Sequence, residues 1–188
     1  MFKAINRYRS FSRQSKLLRL IQIPAQGRVL DVSCGDGAFV QLLHGKNPEL
    51  ELVGTDISSE QVGQASRDYP FARFTTANSS ALPFPSEHFD LVFCNMSFHH
   101  YEQAREVMKE LGRVLKTNGK VYVMDIVPKN KMIQSISNYF GCYEPYHFEK
   151  FYTLPEFESM AMENGLQLIS SNQLAFFPTL LSMEFVKN

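Results

Sequence analysis

The fold is decided by residues 29–40, whose sequence is VLDVSCGDGAFV. The stretch begins with apolar residues, which is typical of a buried parallel strand, and ends with apolar residues that suit a helix. Gly35 and Gly37 fit a tight turn in which backbone comes close to a ligand, because a Cβ would hinder positive φ values and close approach. The stretch therefore predicts a strand, a glycine turn and a helix.

Two classes of cofactor are bound by such an arrangement, the dinucleotides and S-adenosylmethionine. The dinucleotide fingerprint G-x-G-x-x-G/A needs a small residue at the position that Val40 occupies. Asp31, at the end of the strand, would repel a pyrophosphate but suits a cationic group such as the ammonium of an amino acid. The residues therefore favour S-adenosylmethionine.

The same stretch resembles the first motif of class I S-adenosylmethionine-dependent methyltransferases, D/E-x-G-x-G-x-G. Asp31, Gly35 and Gly37 match this motif, whereas Ser33 replaces its first glycine. Because serine is small, we expect a slightly altered turn that still binds the cofactor. The resemblance implies an α/β fold, a Rossmann-like three-layer sandwich with a seven-stranded, mostly parallel sheet and a reversed C-terminal strand.

A second strand is predicted from Leu50 to Gly54, and Asp56 follows it. Asp56 lies 21 residues beyond Gly35 (56 minus 35), where an acid at the end of the second strand accepts hydrogen bonds from a ribose in both cofactor classes. Alternatively, Asp56 caps the helix predicted at 58–67. Both roles are compatible, because Ser58 is also available as the cap.

Residues 78–92 carry a second resemblance. They are similar to a segment of methyltransferases of the ubiquinone and menaquinone biosynthesis type (type 11), in which D-A-x-x-L-P-F is followed by F-D-x-V. Here Asn78 replaces the Asp and Ser79 replaces the Ala. In that family the acid accepts a hydrogen bond from the adenine amino group. Asn78 keeps a carbonyl acceptor without the charge, so weaker or differently oriented adenine binding is expected. Strands are predicted on either side, at 71–76 and 89–95.

The fourth strand leads into residues 95–101, NMSFHHY, at the carboxyl edge of the sheet where such folds bind ligands. A histidine there can take a proton from a phenol, enol or hydroxyl near neutral pH, so we predict His99 or His100 as a catalytic base. The alternative is that one histidine shapes the pocket and the other packs on the next helix. The Asn/Asp-Pro-Pro-Tyr/Phe segment of amino-methylating enzymes matches residues 95–98 only at Asn95 and Phe98.

The site predicted from these motifs contains no metal, because adjacent residues of an extended segment point to opposite sides and cannot both ligate. The cofactor-binding residues implied by the resemblance are Asp31, Ser33, Cys34, Gly35, Gly37, Asp56, Ile57, Asn78, Ser79 and Asn95.

Beyond the motifs, apolar residues recur at spacings of three and four over 103–115 and predict an amphipathic helix that Asn118-Gly119 ends. A fifth strand is predicted at 120–127. Asp125 on it is interpreted as an edge charge, with a role at the ligand edge left open. Residues 129–152 show little helical or strand period and many aromatic side chains, which favours either a substrate lid or a small satellite core.

The C-terminal part begins with a capping box, Thr153-Leu154-Pro155-Glu156, which predicts a helix through Met162. Two final strands are predicted at 166–169 and 180–186. We expect one methyltransferase domain over 1–188, with an N-terminal helical segment at 1–26 and the candidate lid at 128–152.

The composition bounds the remaining possibilities. The 188 residues are 44% hydrophobic with a formal net charge of zero, which favours a globular core and gives no overall footprint for nucleic acid. Three cysteines without C-x-x-C spacing indicate neither a disulfide framework nor a zinc site, and a reducing, cytoplasmic location is expected. No segment approaches the roughly 20 apolar residues of a membrane span.

The first thirty residues are basic, with seven Lys or Arg residues ahead of the first acid, Asp31. A transit peptide, an anionic partner and a solvated helix face are the possible explanations, and the solvated face is the interpretation adopted.

These observations predict methyl transfer from S-adenosylmethionine to a small-molecule acceptor through an O, C or N nucleophile, by in-line displacement. The alternatives are a non-catalytic binder of S-adenosylmethionine or S-adenosylhomocysteine and a nucleic-acid methyltransferase. The oligomeric state is left open.

Overall fold

The glycine turn joins a buried strand to a helix, as its sequence predicts. The structure is a computed structural model that describes residues 12–141, 149–176 and 179–188. The helices are α1 (12–20), α2 (Ala38–Lys46), α3 (Ser59–Asp68), α4 (Ala104–Val114), α5 (Lys131–Gly141) and α6 (Leu154–Met162), with a short 3-10 turn at Phe98–His100. The strands are β1 (Gly27–Val32), β2 (Leu50–Asp56), β3 (Arg73–Thr76), β4 (Phe89–Asn95), β5 (Leu115–Ile126), β6 (Leu166–Ala175) and β7 (Leu180–Lys187).

All seven strands belong to one sheet in the order β3-β2-β1-β4-β5-β7-β6. The first five strands in this order run parallel to one another, and β7 runs antiparallel to both β5 and β6. The predicted seven-stranded, mostly parallel sheet with a reversed strand is therefore confirmed. Strand order changes direction between β1 and β4, and ligands of open α/β sheets bind at such a switch point.

Helices cover both faces of the sheet because its central strands are apolar on both sides. On β4, Val92 and Cys94 belong to a core with α4 and α6, while Leu91 and Phe93 belong to a second core with α1 and α2. This arrangement is the three-layer sandwich that the resemblance implied. It leaves the carboxyl ends of β1, β2, β4 and β5 at one edge.

The boundary between α4 and β5 differs from the prediction. The helix ends at Val114, and Leu115 already pairs with Phe89 of β4. The register then shifts, so that Leu91 pairs with Lys120. Asn118, at φ 63°, lies in this irregularity within β5 and does not end the helix.

The prediction that residues 129–152 lack helical period was wrong for their first half, which forms α5. Residues 142–148, with four of the aromatic side chains of the candidate lid and Cys142, lie outside the described residues, as do 1–11 and Phe177-Pro178. The predicted terminal strands are present and longer than expected. Within the described part of the chain, Cys34 and Cys94 are buried free thiols. No helix there has the length and apolar character to cross a membrane.

Candidate functional site

Asp31 is a buried acid at the switch point. Its carboxylate lies on β1 and is 2% exposed, and its nearest polar partner is the Asn95 amide nitrogen at the end of β4, 3.5 Å away. Burial raises the pKa of Asp31 well above its usual value, the charge of Asp56 raises it further, and the Asn95 hydrogen bond opposes both. A cation placed beside such a buried acid stabilises its charged form.

Asn95 completes this feature. Its side-chain oxygen is buried and has no hydrogen-bond partner among the described residues. An unpaired buried acceptor costs free energy, and a donor such as an ammonium group would satisfy it together with Asp31. The pair therefore fits the amino group of a bound amino acid, which is the role the sequence predicted for Asp31.

The two glycines of the turn have different roles. Gly35 has φ 54°, and a Cβ there would meet no atom within 4 Å, so its backbone borders open space. Gly37 has φ 78° and starts α2, where a Cβ would lie 2.9 Å from the Tyr69 ring. Gly35 is therefore the one suited to close approach of a ligand, and Gly37 permits packing behind the turn.

Asp56 binds the turn from the end of β2. Its two oxygens accept hydrogen bonds from the backbone N–H groups of Gly35 and Ser58, each at 2.9 Å. Ser58 caps α3 by accepting from the Gln61 N–H, so the cap and the acid are separate residues, as the sequence allowed. Each Asp56 oxygen keeps a second lone pair for ribose hydroxyls. Ile57, next to it, is 73% exposed and offers an apolar surface at the same edge.

Cys34 and Asn78 have local roles in this structure. The Cys34 N–H donates to the Thr55 carbonyl at 2.9 Å, which ties the turn to β2, and its thiol packs against Gly54. The Asn78 side-chain oxygen accepts from both the N–H and the hydroxyl of Ser80, at 3.0 and 2.9 Å. The carbonyl expected to receive adenine is thus engaged within its own turn.

Ser33 is held by a cluster of hydroxyl groups. Its φ is 57°, a left-handed conformation that disfavours side chains other than glycine. The Ser33 hydroxyl is 2.7 Å from the Tyr101 hydroxyl and 3.2 Å from that of Ser79, and Tyr101 also donates to Ser97. Burial raises the pKa of Tyr101 well above its usual value, so the phenol stays protonated. The serine is therefore compensated by bonds that a glycine could not make.

His99 and Asp125 form the second feature of the edge. His99 Nδ1 lies 2.6 Å from Asp125 Oδ1, and the His99 N–H donates to Asp125 Oδ2 at 3.2 Å. Burial lowers the pKa of His99, but the hydrogen bond and charge of Asp125, with a smaller contribution from Glu149, raise it above its usual value. The Phe151 ring stacks on the imidazole at a centroid distance of 5.3 Å.

Two expectations about this region were wrong. Asp125 is not an edge charge, since it is 1% exposed and oriented toward His99 from the neighbouring strand. Residues 98–100 are not extended but form a 3-10 turn, which brings the His99 and His100 rings to a centroid distance of 4.0 Å. With Glu149 they offer three possible metal-ligating atoms within 4.8 Å of one another, so the argument against a shared ligand set does not hold.

Sequence reasoning missed Asp125 as the partner of His99, and also Tyr101 and Phe151. The sequence signal for Asp125 was only partial: it lies near the carboxyl end of the strand predicted at 120–127, where a role at the ligand edge was left open. Nothing in the local pattern of Tyr101 or Phe151 indicated their contacts. The predicted residues Asp31 and Asn95 are brought together at the ends of β1 and β4, and Asp56 is brought to Gly35.

Comparison with known proteins gives a family match and several similar chains. Residues 30–123 match a family described as a methyltransferase domain. The chain is similar to a demethylmenaquinone methyltransferase of Thermotoga maritima, with 30% identity over 133 residues that cover 69% of this chain and 58% of the relative. It is also 34% identical over 111 residues to a malonyl-[acyl-carrier protein] O-methyltransferase of Legionella pneumophila, covering 57% and 39% of the two chains. The chain thus spans less than two thirds of these relatives.

Solved structures share the fold across almost the whole chain. The YcgJ protein from Bacillus subtilis superimposes with a TM-score of 0.78 at 20% identity, covering 94% of this chain and 98% of that one. A geranyl diphosphate methyltransferase in complex with SAM gives a TM-score of 0.77 at 14% identity, with coverages of 95% and 85%. At these identities the likeness concerns the fold alone.

Proposed function

The chain belongs to the S-adenosylmethionine-dependent methyltransferase family, and from that premise we propose that it transfers the cofactor's methyl group to an oxygen or carbon acid of a small-molecule acceptor, with His99 as the base. The hydrogen bond between His99 and Asp125 carries this proposal. The catalytic role of His99, the binding roles of the individual residues and the acceptor class are all parts of the proposal.

The cofactor half rests on the residues around the glycine turn. The Asp31 carboxylate and the unpaired Asn95 oxygen suit the ammonium group, and Asp56 suits the ribose hydroxyls. The open space beside Gly35 suits the backbone approach that such binding needs. When bound, S-adenosylmethionine supplies a sulfonium methyl group to a nucleophile aligned with the carbon–sulfur bond. Alignment of this kind supplies much of the rate of a displacement.

The part of the proposal that concerns the acceptor depends on the tautomer of His99. With Asp125 accepting from Nδ1–H, the other ring nitrogen, Nε2, carries a lone pair and can take a proton from an acceptor hydroxyl or acidic C–H. Asp125 then stabilises the imidazolium that forms, as a carboxylate does in other histidine bases. Phe151 covers one face of the ring and limits its rotation. His99, buried and bonded to Asp125, is therefore proposed as the base in preference to the exposed His100.

The relatives suggest which acceptors to offer first. Their names indicate action on a demethylmenaquinone and on malonyl-[acyl-carrier protein], so the first panel consists of quinols, phenols and carboxylic acids. The panel is incubated with isotopically labelled S-adenosylmethionine, alongside a cell extract that supplies unknown acceptors. Label in a product separated by mass spectrometry identifies the acceptor.

The base is tested by replacing His99→Gln, with His100→Gln as the matched control on the same turn. We expect His99→Gln to lower kcat about 10²- to 10⁴-fold while S-adenosylhomocysteine binds unchanged. His100→Gln is expected to keep the wild-type pH profile. Equal rates for wild type and His99→Gln would remove the base role. No labelled product from either source, together with tight binding of S-adenosylhomocysteine, would contradict methyl transfer as a whole.

A further inference from the structure

The 3-10 turn after β4 brings two adjacent imidazoles together. The rings of His99 and His100 lie at a centroid distance of 4.0 Å. The Glu149 carboxylate joins them, and the three side chains offer one ligand atom each, all within 4.8 Å of one another. Zn²⁺ lies about 2.0–2.2 Å from imidazole nitrogens and carboxylate oxygens that bind it, so these atoms need to approach only slightly to share one ion.

His99 is held in the orientation of a metal ligand. Its Nδ1 is 2.6 Å from Asp125 Oδ1, and the Phe151 ring stacks on the imidazole at a centroid distance of 5.3 Å. With Nδ1–H donated to Asp125, Nε2 is the nitrogen that carries the lone pair. Histidines that ligate metals almost always donate their other N–H to a carboxylate, a backbone carbonyl or water, which fixes the ring and strengthens the ligand. Asp125 thus has the position of that outer partner.

The carboxylate of this cluster lies on a segment that is fastened to the turn. The Lys150 N–H donates to the His99 carbonyl at 2.8 Å. The next residue, Phe151, donates its N–H to the Asn138 side chain at 2.8 Å and accepts from the Gln134 amide at 3.0 Å, both on α5. These three hydrogen bonds hold the backbone beside the carboxylate against the turn, so the cluster is part of the fold.

The burial of the three ligands suits binding of an ion from solvent. His99 is buried, Glu149 is half-buried and His100 is exposed. One fixed ligand and two more accessible ones let the cluster close around an ion and leave a coordination position for water. Two histidines and one carboxylate with an open position are a ligand set that Zn²⁺ uses. Mg²⁺ and Ca²⁺ prefer oxygen ligands and do not match it.

We propose that His99 Nε2, His100 and Glu149 bind a divalent transition-metal ion, with Zn²⁺ as the matching ion and Asp125 holding His99 in place. The binding does not depend on the proposed methyl transfer. One consequence does rest on it: an ion on Nε2 takes the lone pair that the base would use, so Zn²⁺ should inhibit the reaction and a chelator should restore it. Zn²⁺ that binds without inhibiting would contradict the role of His99 as the base and leave the metal site standing.

The experiment titrates the full chain, first freed of metal, with Zn²⁺ in competition with a coloured chelator and with Co²⁺ followed by its visible absorption. We expect one ion per chain and no competition from Mg²⁺. His100→Gln and Glu149→Gln each remove a ligand and should weaken Zn²⁺ binding by about 100-fold or more. Asp125→Asn removes the charge of the outer partner and should weaken it about 10- to 100-fold.

The matched controls are His88→Gln and Glu102→Gln, which change a histidine and a carboxylate outside the cluster. Both should bind Zn²⁺ as the wild type does. Thermal stabilisation by S-adenosylhomocysteine, measured without metal and unchanged in the ligand and control variants, shows that each of them is folded.

Four results would overturn the proposal. These are absence of Zn²⁺ binding to the wild type, wild-type affinity in both His100→Gln and Glu149→Gln, and a Co²⁺ spectrum with an intense thiolate band, which would place the ion at a cysteine. The fourth is wild-type affinity in Asp125→Asn, which would remove His99 from the ligand set.

Discussion

The two halves of the carboxyl edge are built differently. The half at β1 and β2 consists of a backbone turn whose parts lie within about 30 residues of one another, with Asp56 accepting directly from the Gly35 N–H. The half at β4 and β5 consists of side chains that meet between elements, with His99 on the 3-10 turn after β4 and Asp125 on β5. The first arrangement suits a ligand that is common to a family. The second can change its chemistry by single substitutions, which suits the part that selects an acceptor.

The largest effect is expected in the first half. Asp31→Asn should weaken S-adenosylhomocysteine binding on the order of 100-fold, because a charged contact to the ammonium group is lost. The same change should stabilise the ligand-free protein. A buried acid with a raised pKa favours folding below its unfolded pKa, and that contribution is lost as pH rises through the folded pKa. At pH 7 the neutral amide avoids this cost, and each kcal/mol moves the thermal midpoint about 2–4 °C.

Titration calorimetry measures the affinity for S-adenosylhomocysteine, and scanning calorimetry measures the midpoint of thermal unfolding. Asp68→Asn is the matched control, since Asp68 is exposed at the end of α3 and bonds only locally to Gln64 among the contacts described. It should change neither quantity. An Asp31→Asn protein that is less stable than the wild type and binds the ligand normally would show that Asp31 has a structural role instead.

The pairing of His99 with Asp125, in the half at β4 and β5, is tested by measuring stability at different pH values. His99 has a raised pKa, so its pairing with Asp125 stabilises the fold fully below the unfolded pKa of about 6.5 and less as pH rises through the folded value. Asp125→Asn should therefore destabilise the protein by more at pH 6 than at pH 9, the difference being about 1–2 kcal/mol for a charged hydrogen bond. The acidic limb of kcat/KM should move to lower pH in the same variant.

Urea unfolding at both pH values, and NMR titration of the His99 ring, measure these shifts. Asp90→Asn provides the comparison, because Asp90 pairs with Lys116 and its pKa is lowered. An acid whose pKa is lowered on folding gives its full stabilisation once the pH is above its unfolded pKa of about 3.9. Asp90→Asn should therefore destabilise the protein equally at pH 6 and pH 9. A His99 pKa that Asp125→Asn leaves unchanged would contradict the assigned pairing.

This contrast also explains what the sequence could predict. Asp31, Gly35 and Asp56 act through one strand-turn-helix unit, so their spacing along the chain carries their arrangement in space. The partnership of His99 with Asp125 depends on the pairing of β4 with β5, which local patterns do not describe. Helix α5 escaped prediction because its helical spacing, at Met132, Ile136 and Tyr139, is lost when residues 129–152 are considered as one stretch.

A smaller effect is expected at Ser33, where two terms oppose each other. Its left-handed φ costs about 1 kcal/mol or more relative to glycine, and its bond to Tyr101 returns about 1 kcal/mol. Ser33→Gly should therefore leave the free energy of unfolding nearly unchanged, whereas Ser33→Ala, which keeps the strain and loses the bond, should lower it by about 1 kcal/mol. On a Tyr101→Phe background the Ser33→Ala loss should shrink, as chemical denaturation can show; an undiminished loss would mean that the two hydroxyls are not coupled.

The smallest effect is expected at Asn78, where a substitution changes the affinity for the adenine end of the ligand. Both acceptor positions of the Asn78 oxygen are occupied by Ser80. Asn78→Asp would keep those bonds and add a second, charged oxygen for the adenine amino group, so S-adenosylhomocysteine should bind roughly 5-fold more tightly. The analogue with hypoxanthine in place of adenine lacks that amino group and should show no gain. Calorimetry with both ligands separates the two cases, because an equal gain for both would mean that the charge acts at a distance and that residue 78 does not contact the base.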